Sequence, residues 1–160
     1  MDSVSVIGGG AWGTALAQML AATGRLTKIW AREAEVVAAI NGSHSNDIYL
    51  PNVLLNRNLK ATSDLAEAAT TDVMLLVTPA QFLRPVVKEL TEHLKPGLPV
   101  VICAKGIEKG SHALMSEVLA ETLPDNPLAV LSGPTFAIEV AKGMPTAVTL
   151  ACADENLGAR

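Results

Sequence analysis

The chain has 160 residues and a formal net charge of −4. Of its residues, 49% are hydrophobic, 18% are charged and 3% are aromatic. These values exclude a disordered tail and predict one globular domain with an aliphatic core. Lysines and arginines are scattered, no apolar stretch is long enough to cross a bilayer, and the first residues lack a secretory signal. We therefore expect a cytoplasmic protein that binds neither nucleic acid nor membrane. Cys103 and Cys152 have no metal-ligand spacing, so we expect free thiols and no metal site.

A glycine-rich turn follows the first predicted strand. The apolar run Val4–Ile7 precedes the hexamer GGGAWG at residues 8–13, which has the spacing G-x-G-x-x-G and opens a helical pattern. Gly8 permits a tight turn, Gly10 lets the backbone approach a pyrophosphate, and Gly13 lets the helix pack closely on the strand. Unbonded N–H groups at a helix start favour an anion. We interpret the hexamer as a dinucleotide site; the alternative is an ordinary turn between strand and helix.

Further apolar runs of strand length alternate with helical patterns. The predicted strands are Leu26–Trp30, Leu59–Thr62, Val73–Thr78, Val100–Ala104, Leu128–Leu131 and Thr146–Leu150. Apolar stripes predict helices around residues 36–42 and 114–123. Residues 73–77 and 100–103 are continuously apolar, which is typical of strands covered on both faces. The alternation predicts an α/β fold with a mainly parallel sheet.

The segment Ser43–Asn58 is the one long polar stretch and contains Pro51. We expect it to lack regular structure and to be either a lid or an insertion tolerated at the surface. From Asp154 another polar or helical stretch begins. We expect a domain boundary near Arg160.

Parallel sheets bind ligands beyond the carboxyl ends of their strands, so the loops that follow strands hold the candidate residues. Arg32 and Glu33 follow the second strand. Arg32 would neutralise the 2′-phosphate of NADP or be solvated, whereas Glu33 would accept the 2′-hydroxyl of NAD or stabilise the first turn of the next helix.

The fourth strand ends at a turn that contains Pro79 and Phe82. Because proline is tolerated in the first helical turn, we expect the next helix to begin near Pro85 and Phe82 to precede it. Phe82 then either packs on the nucleotide or belongs to the core.

Two more loops carry polar groups. Lys105 ends the fifth strand and Gly106 permits a close turn, so Lys105 would hold an anionic substrate or be a solvated charge. Pro134 suits the first position of a helix that runs through Val140, and Thr135 would cap that helix or donate its hydroxyl to a ligand. This loop predicts either a second anion site or only a capped helix.

Together, the motifs G-G-G-A-W-G, W-A-R, Y-L-P at residues 49–51, the turn from Pro79 to Phe82, A-K-G-I-E and S-G-P-T-F-A resemble those of the bacterial NAD(P)-dependent glycerol-3-phosphate dehydrogenases. The resemblance spans the whole chain. It implies a Rossmann-type domain, with a mainly parallel twisted sheet and helices on both faces, followed by a helical domain. It also implies a homodimer that reduces dihydroxyacetone phosphate to sn-glycerol 3-phosphate in phospholipid synthesis.

The same resemblance implies roles for individual residues. It assigns cofactor contacts, to NAD or NADP, to Gly8, Gly10, Ala11, Trp12, Gly13, Arg32, Phe82, Lys105 and Ala137. It assigns substrate contacts to Lys105, Gly133 and Thr135. The family's general acid and base is a lysine in an N-x-x-x-K-N-like region of the helical domain, and no such motif occurs before Arg160. We therefore expect residues 1–160 to be the NAD(P)-binding domain, with no catalytic residue of its own and negligible turnover.

Two alternatives remain open at the level of sequence. One is another dehydrogenase with a Rossmann domain and a helical domain, such as ketopantoate reductase or the 6-phosphogluconate group. The S-G-P-T-F-A segment with A-K-G upstream argues against these relatives, which share only the opening turn. The other alternative is a non-catalytic module that senses dinucleotides.

Overall fold

The computed structural model describes residues 1–159 and places seven strands in one sheet. The strands are β1 (Ser3–Ile7), β2 (Leu26–Trp30), β3 (Lys60–Thr62), β4 (Val73–Leu76), β5 (Val100–Ile102), β6 (Leu128–Ser132) and β7 (Thr149–Cys152). Their spatial order is β3-β2-β1-β4-β5-β6-β7, and every pair is parallel except β6 with β7. The direction of winding reverses between β1 and β4, and open α/β sheets bind ligands at such a point. The expected Rossmann-type α/β fold is confirmed.

Helices cover both faces of the sheet. They are α1 (Ala11–Ala22), α2 (Ala34–Gly42), α3 (Leu65–Ala68), α4 (Ala80–Thr91), α5 (Met115–Thr122), α6 (Ala137–Ala141) and α7 (Glu155–Gly158). Successive residues of β1 point to opposite faces: Val6 lies in one core cluster with Leu16, whereas Ile7 lies in the other with Leu83 and Leu119.

No helix within residues 1–159 is both long and apolar enough to cross a membrane.

The helix after β4 begins earlier than expected. Instead of starting near Pro85, α4 starts at Ala80 and contains Pro85 in its interior. A proline there lacks one helical hydrogen bond, but α4 buries a stripe that includes Leu83 and Val87. Burial of that stripe outweighs the missing bond. Phe82 therefore lies in the first turn of α4, 54% exposed, so the interpretation of Phe82 as a core residue is wrong.

The segment Ser43–Asn58 forms turns and one isolated bridge, between Asn46 and Leu50, as its polar composition predicts. Leu50, Val53 and Leu55 are nevertheless buried in the core beside α1 and α2. The segment is therefore a packed part of the domain rather than an insertion held at the surface.

Candidate functional site

The turn between β1 and α1 has a conformation that requires glycine. Gly8 has a φ of +133°, and a Cβ there would come within 3.0 Å of the Val77 carbonyl carbon. A Cβ on Gly13 would overlap the carbonyl oxygen of Gly8. Gly8 and Gly13 thus have the steric roles that the motif spacing predicts, which are a tight turn and close packing of α1.

The start of α1 is open to a ligand. Gly10 is the N-cap, no side chain within residues 1–159 caps the helix, and the first turn carries no acidic residue. A Cβ on Gly10 would have no atom of the described chain within 4 Å. The unbonded N–H groups and the helix dipole at this end therefore favour an anion, and no other part of the described chain crowds the side of Gly10 where a Cβ would lie.

A cleft of about 370 Å³ lies beside this turn, at the carboxyl edge of β1, β4 and β5. Its lining consists of Ala11, Trp12, Val77, Thr78, Pro79, Cys103, Ala104, Lys105, Thr135, Phe136 and Ala137. The structure therefore brings Ala11, Trp12, Lys105, Thr135 and Ala137 together, all of which the sequence analysis singled out. Arg32, Phe82 and Gly133 lie outside this lining.

Lys105 is the cationic group of the cleft. Its ammonium Nζ lies 3.5 Å from the carbonyl oxygen of Gly133, and it forms no ion pair with residues 1–159. The following Gly106 has a φ of +131°, which permits the chain to turn away from β5. Gln81 of α4 holds the next part of the loop by donating to the carbonyl of Ile107 at 2.9 Å.

An ion pair that the sequence analysis missed fixes the same loop. Arg84 of α4 donates to both carboxylate oxygens of Glu108, at 2.8 and 2.9 Å, and also pairs with Glu121 at 2.8 Å. The guanidinium and the hydroxyl of Ser111 lower the pKa of Glu108 to about 2. Glu108 is therefore ionised at neutral pH and is bound by Arg84, which also pairs with Glu121. Lys105 is therefore the charged residue of this loop that lines the cleft and forms no ion pair with residues 1–159.

Arg32 and Glu33 have different surroundings at the end of β2. Arg32 is exposed and forms no ion pair within the described chain. Glu33 is the N-cap residue of α2, and its carboxylate accepts from the Tyr49 hydroxyl at 3.3 Å. The negative charge of Glu33 raises the pKa of Tyr49. The acidic residue of the first turn is Glu35 rather than Glu33. Arg32 is thus the free charged side chain at this position.

The loop before α6 differs from the expectation. The helix begins at Ala137 with Phe136 as its N-cap, and no side chain of the described residues caps it. Pro134 is therefore not the first helical residue, and Thr135 is not a cap. With five residues, α6 is too short to act as a second anion-binding helix. Phe136, which the sequence analysis did not single out, lines the cleft and is 70% exposed.

Neither cysteine forms a disulfide, and residues 1–159 contain no group of three or more potential metal ligands. Cys103 lines the cleft, but burial raises the pKa of its thiol to about 12. The thiol is therefore protonated at neutral pH and is a poor nucleophile.

A larger cavity, of about 620 Å³, lies at the opposite, amino edge of the sheet between the ends of β1, β4 and β5. There the Asp72 carboxylate accepts from the N–H groups of Asp2 and Ser3, which lowers the pKa of Asp72. Because open α/β sheets bind ligands at the carboxyl edge, we take the smaller cleft as the candidate site.

A family model and curated relatives match this chain over nearly its whole length. The family model described as NAD-dependent glycerol-3-phosphate dehydrogenase N-terminus matches residues 3–158. The curated glycerol-3-phosphate dehydrogenase (NAD(P)+) of Rhodospirillum rubrum is 60% identical over 159 residues, which cover 98% of this chain and 45% of that protein. The enzyme of the same name from Parvibaculum lavamentivorans is 54% identical over 154 residues, which cover 96% and 46%. The chain thus spans about half the length of the curated relatives it matches.

Solved structures agree with this relationship. The crystal structure of glycerol-3-phosphate dehydrogenase from Coxiella burnetii matches with a TM-score of 0.92 and 34% identity, over 99% of this chain and 49% of that one. A GDP-mannose dehydrogenase from Pseudomonas aeruginosa, with a TM-score of 0.79 and 16% identity over 99% of this chain and 42% of that one, shares the fold alone. The rival dehydrogenases and the sensing module are therefore not favoured. Because the family match extends over residues 3–158, the chain belongs to the family of NAD-dependent glycerol-3-phosphate dehydrogenase N-terminal domains.

Proposed function

We propose that this chain is the dinucleotide-binding part of an enzyme that reduces dihydroxyacetone phosphate to sn-glycerol 3-phosphate with NADH or NADPH. The observation that carries the proposal is the open space beside Gly10, at the start of α1 and at the point where the strand order reverses. A dinucleotide pyrophosphate fits these residues because the site offers backbone N–H groups and no obstructing side chain. The names of the relatives support the choice of reaction.

The residues around the cleft have complementary roles in this proposal. Gly10, Ala11 and Trp12 would bind the pyrophosphate through backbone N–H groups, whereas Gly8 and Gly13 would shape the turn around it, since the Gly8 N–H already donates to the Trp30 carbonyl at 3.0 Å. Arg32 would bind the adenosine ribose or its 2′-phosphate. Phe82, exposed in the first turn of α4, and Ala137, which lines the cleft, would both contact the nucleotide.

The substrate would lie next to Lys105, whose ammonium attracts an anionic phosphate. Gly133 and Thr135 would complete its binding. When bound, the nicotinamide supplies a hydride to the ketone carbon. The reaction also needs a proton for the developing alkoxide, which is the work of a general acid.

We assign no general acid to the described residues, and we propose that it is a lysine of a helical domain. The greater length of the relatives supports a second domain. A homodimer, which the family resemblance implies, and a cytoplasmic location, which we expect from the sequence, are part of the same proposal.

Calorimetry tests the proposal directly. We expect this chain to bind NADH and NADPH at millimolar concentrations with measurable heat, because the pyrophosphate site lies within it. We also expect residues 1–160 alone to reduce dihydroxyacetone phosphate negligibly, because we place the general acid in the helical domain. Absence of any binding heat from a folded sample would contradict the proposal, as would turnover typical of an intact dehydrogenase.

Replacing Arg32 by aspartate tests the role of the exposed charge at the end of β2. We expect Arg32→Asp to weaken NADPH binding about tenfold more than NADH binding, because it removes a partner of the 2′-phosphate and adds repulsion. The measurement is the pair of dissociation constants. Arg25→Asp is the matched control, since Arg25 directly precedes β2 and lies at its other end. An equal loss for both cofactors in Arg32→Asp would disprove the assignment.

A further inference from the structure

Asn46 is a buried polar residue that reaches the glycine turn from the segment Ser43–Asn58. It is 1% exposed, and its Nδ2 donates to the carbonyl oxygen of Gly9 at 2.9 Å and to Thr14 Oγ1 at 2.8 Å. The Thr14 hydroxyl donates to the same Gly9 carbonyl at 3.3 Å. Asn46, Thr14 and the Gly9 carbonyl therefore form a closed set of hydrogen bonds, which we name the carbonyl clamp.

The carbonyl clamp sets the orientation of one peptide plane. Residues 1–159 contain no cis peptide bond, so the N–H of Gly10 points away from the Gly9 carbonyl in the shared plane. Because the clamp holds that carbonyl toward the buried side chains of Asn46 and Thr14, the Gly10 N–H is turned to the other side, toward the start of α1. It donates to no acceptor of the described chain. Between two glycines such a plane rotates easily unless it is held.

The buried position of Asn46 lowers the stability of the fold, so a purely structural role does not explain it. Its Oδ1 is buried and has no hydrogen-bond partner within residues 1–159. A buried acceptor without a partner opposes folding, so an apolar side chain would fill this position more cheaply. The orientation of the amide is nevertheless defined, because a backbone carbonyl accepts only, and Nδ2 must therefore face Gly9.

We propose that Asn46 is a positioning residue for pyrophosphate binding, which fixes the Gly9–Gly10 peptide so that the Gly10 N–H faces the diphosphate. The inference rests on the proposed dinucleotide-binding function. It assigns a purpose to the segment Ser43–Asn58, which brings Asn46 to the turn and is anchored beside α1 by its buried leucines.

Single variants of Asn46 and Thr14, one double variant and one control test the proposal. Asn46→Ala removes the clamp's amide, Thr14→Val removes its hydroxyl, and Thr14→Ser keeps the hydroxyl. Asn126→Ala is the matched control, since Asn126 Nδ2 likewise donates two hydrogen bonds, in its case to the carbonyls of Lys95 and Leu98 at the amino edge of the sheet. The readouts are the dissociation constants for NADH and for inorganic pyrophosphate, and the Gly10 amide resonance of the ligand-free chain with isotope-labelled glycine. Circular dichroism defines a temperature at which each variant is folded.

We expect Asn46→Ala to raise both dissociation constants about tenfold to a hundredfold and to shift the Gly10 resonance. Thr14→Val should weaken binding in the same direction, whereas Thr14→Ser should bind like the parent. In the double variant of Asn46→Ala and Thr14→Val, the loss of binding free energy should be less than the sum of the two single losses, because both side chains hold one carbonyl. Asn126→Ala should leave binding unchanged even where it lowers the melting temperature.

The outcomes separate the two proposals. If the parent chain binds NADH and Asn46→Ala binds equally well, or no worse than Asn126→Ala, the role of Asn46 is disproved and the dinucleotide site is not. If Asn46→Ala does not fold, equal affinities of Thr14→Val and Thr14→Ser would disprove it. If the parent chain binds neither ligand, the proposed function fails. Independently of ligand binding, an unchanged Gly10 resonance in Asn46→Ala would disprove that Asn46 orients the Gly9–Gly10 peptide.

Discussion

Replacing Gly13 by alanine is expected to abolish measurable dinucleotide binding and to lower the free energy of unfolding by about 3 kcal/mol. The new Cβ would overlap the carbonyl oxygen of Gly8. Both groups belong to the backbone, so no flexible side chain is available to move aside. Gly8 itself has little freedom, because its N–H donates to the Trp30 carbonyl of β2 at 3.0 Å. The strain must therefore displace α1 from β1 and distort the pyrophosphate turn between them.

Urea unfolding and calorimetry with NADH measure the two effects of Gly13→Ala. Gly42→Ala is the matched control, because Gly42 ends α2 and a Cβ there meets no atom of the described chain within 4 Å. We expect the control to be neutral or slightly stabilising, since alanine is the better helix former. If Gly13→Ala were as stable as Gly42→Ala and still bound NADH, the close contact of α1 with the turn would not exist in solution.

The part of the site that could be predicted from sequence is local in sequence. The close contact between Gly13 and Gly8 lies within one turn and the start of one helix, so a short motif is sufficient to predict it. Continuous apolar runs likewise predict buried parallel strands. Lys105 could be placed at the cleft because it follows such a run directly, and parallel strands end at a common edge.

The contacts that sequence could not predict join residues far apart in the chain. Asn46 and Gly9 are separated by 37 positions, and Arg84 and Glu108 by 24. No periodicity links such partners, and the polar composition around Asn46 suggested solvent exposure instead. Pro85 shows a different limit: its local preference for a helix start is outweighed by the apolar face that α4 buries.

The second large effect is expected at Lys105. In the two-domain dehydrogenase of the proposed function, Lys105→Met should lower kcat/KM for dihydroxyacetone phosphate about a hundredfold or more. The ammonium has one long contact, 3.5 Å to the Gly133 carbonyl, and no ion pair with residues 1–159, so its charge is available to an anion in the cleft. Arg84 binds both carboxylate oxygens of Glu108, and within the described residues Glu108 forms no ion pair with Lys105.

Initial rates of NADH oxidation measure this effect, and two variants control it. Lys109→Met removes the same charge four positions later in the loop, where Gln81 binds the Lys109 N–H and not its side chain. We expect it to keep nearly the parent rate. Lys105→Arg should keep part of the activity, because it retains the charge but not the shape of the ammonium. The dissociation constant for NADH should change less than kcat/KM, because the pyrophosphate is held by the backbone of the glycine turn. Equal rates for Lys105→Met and Lys109→Met would show that the cleft does not bind the substrate through Lys105.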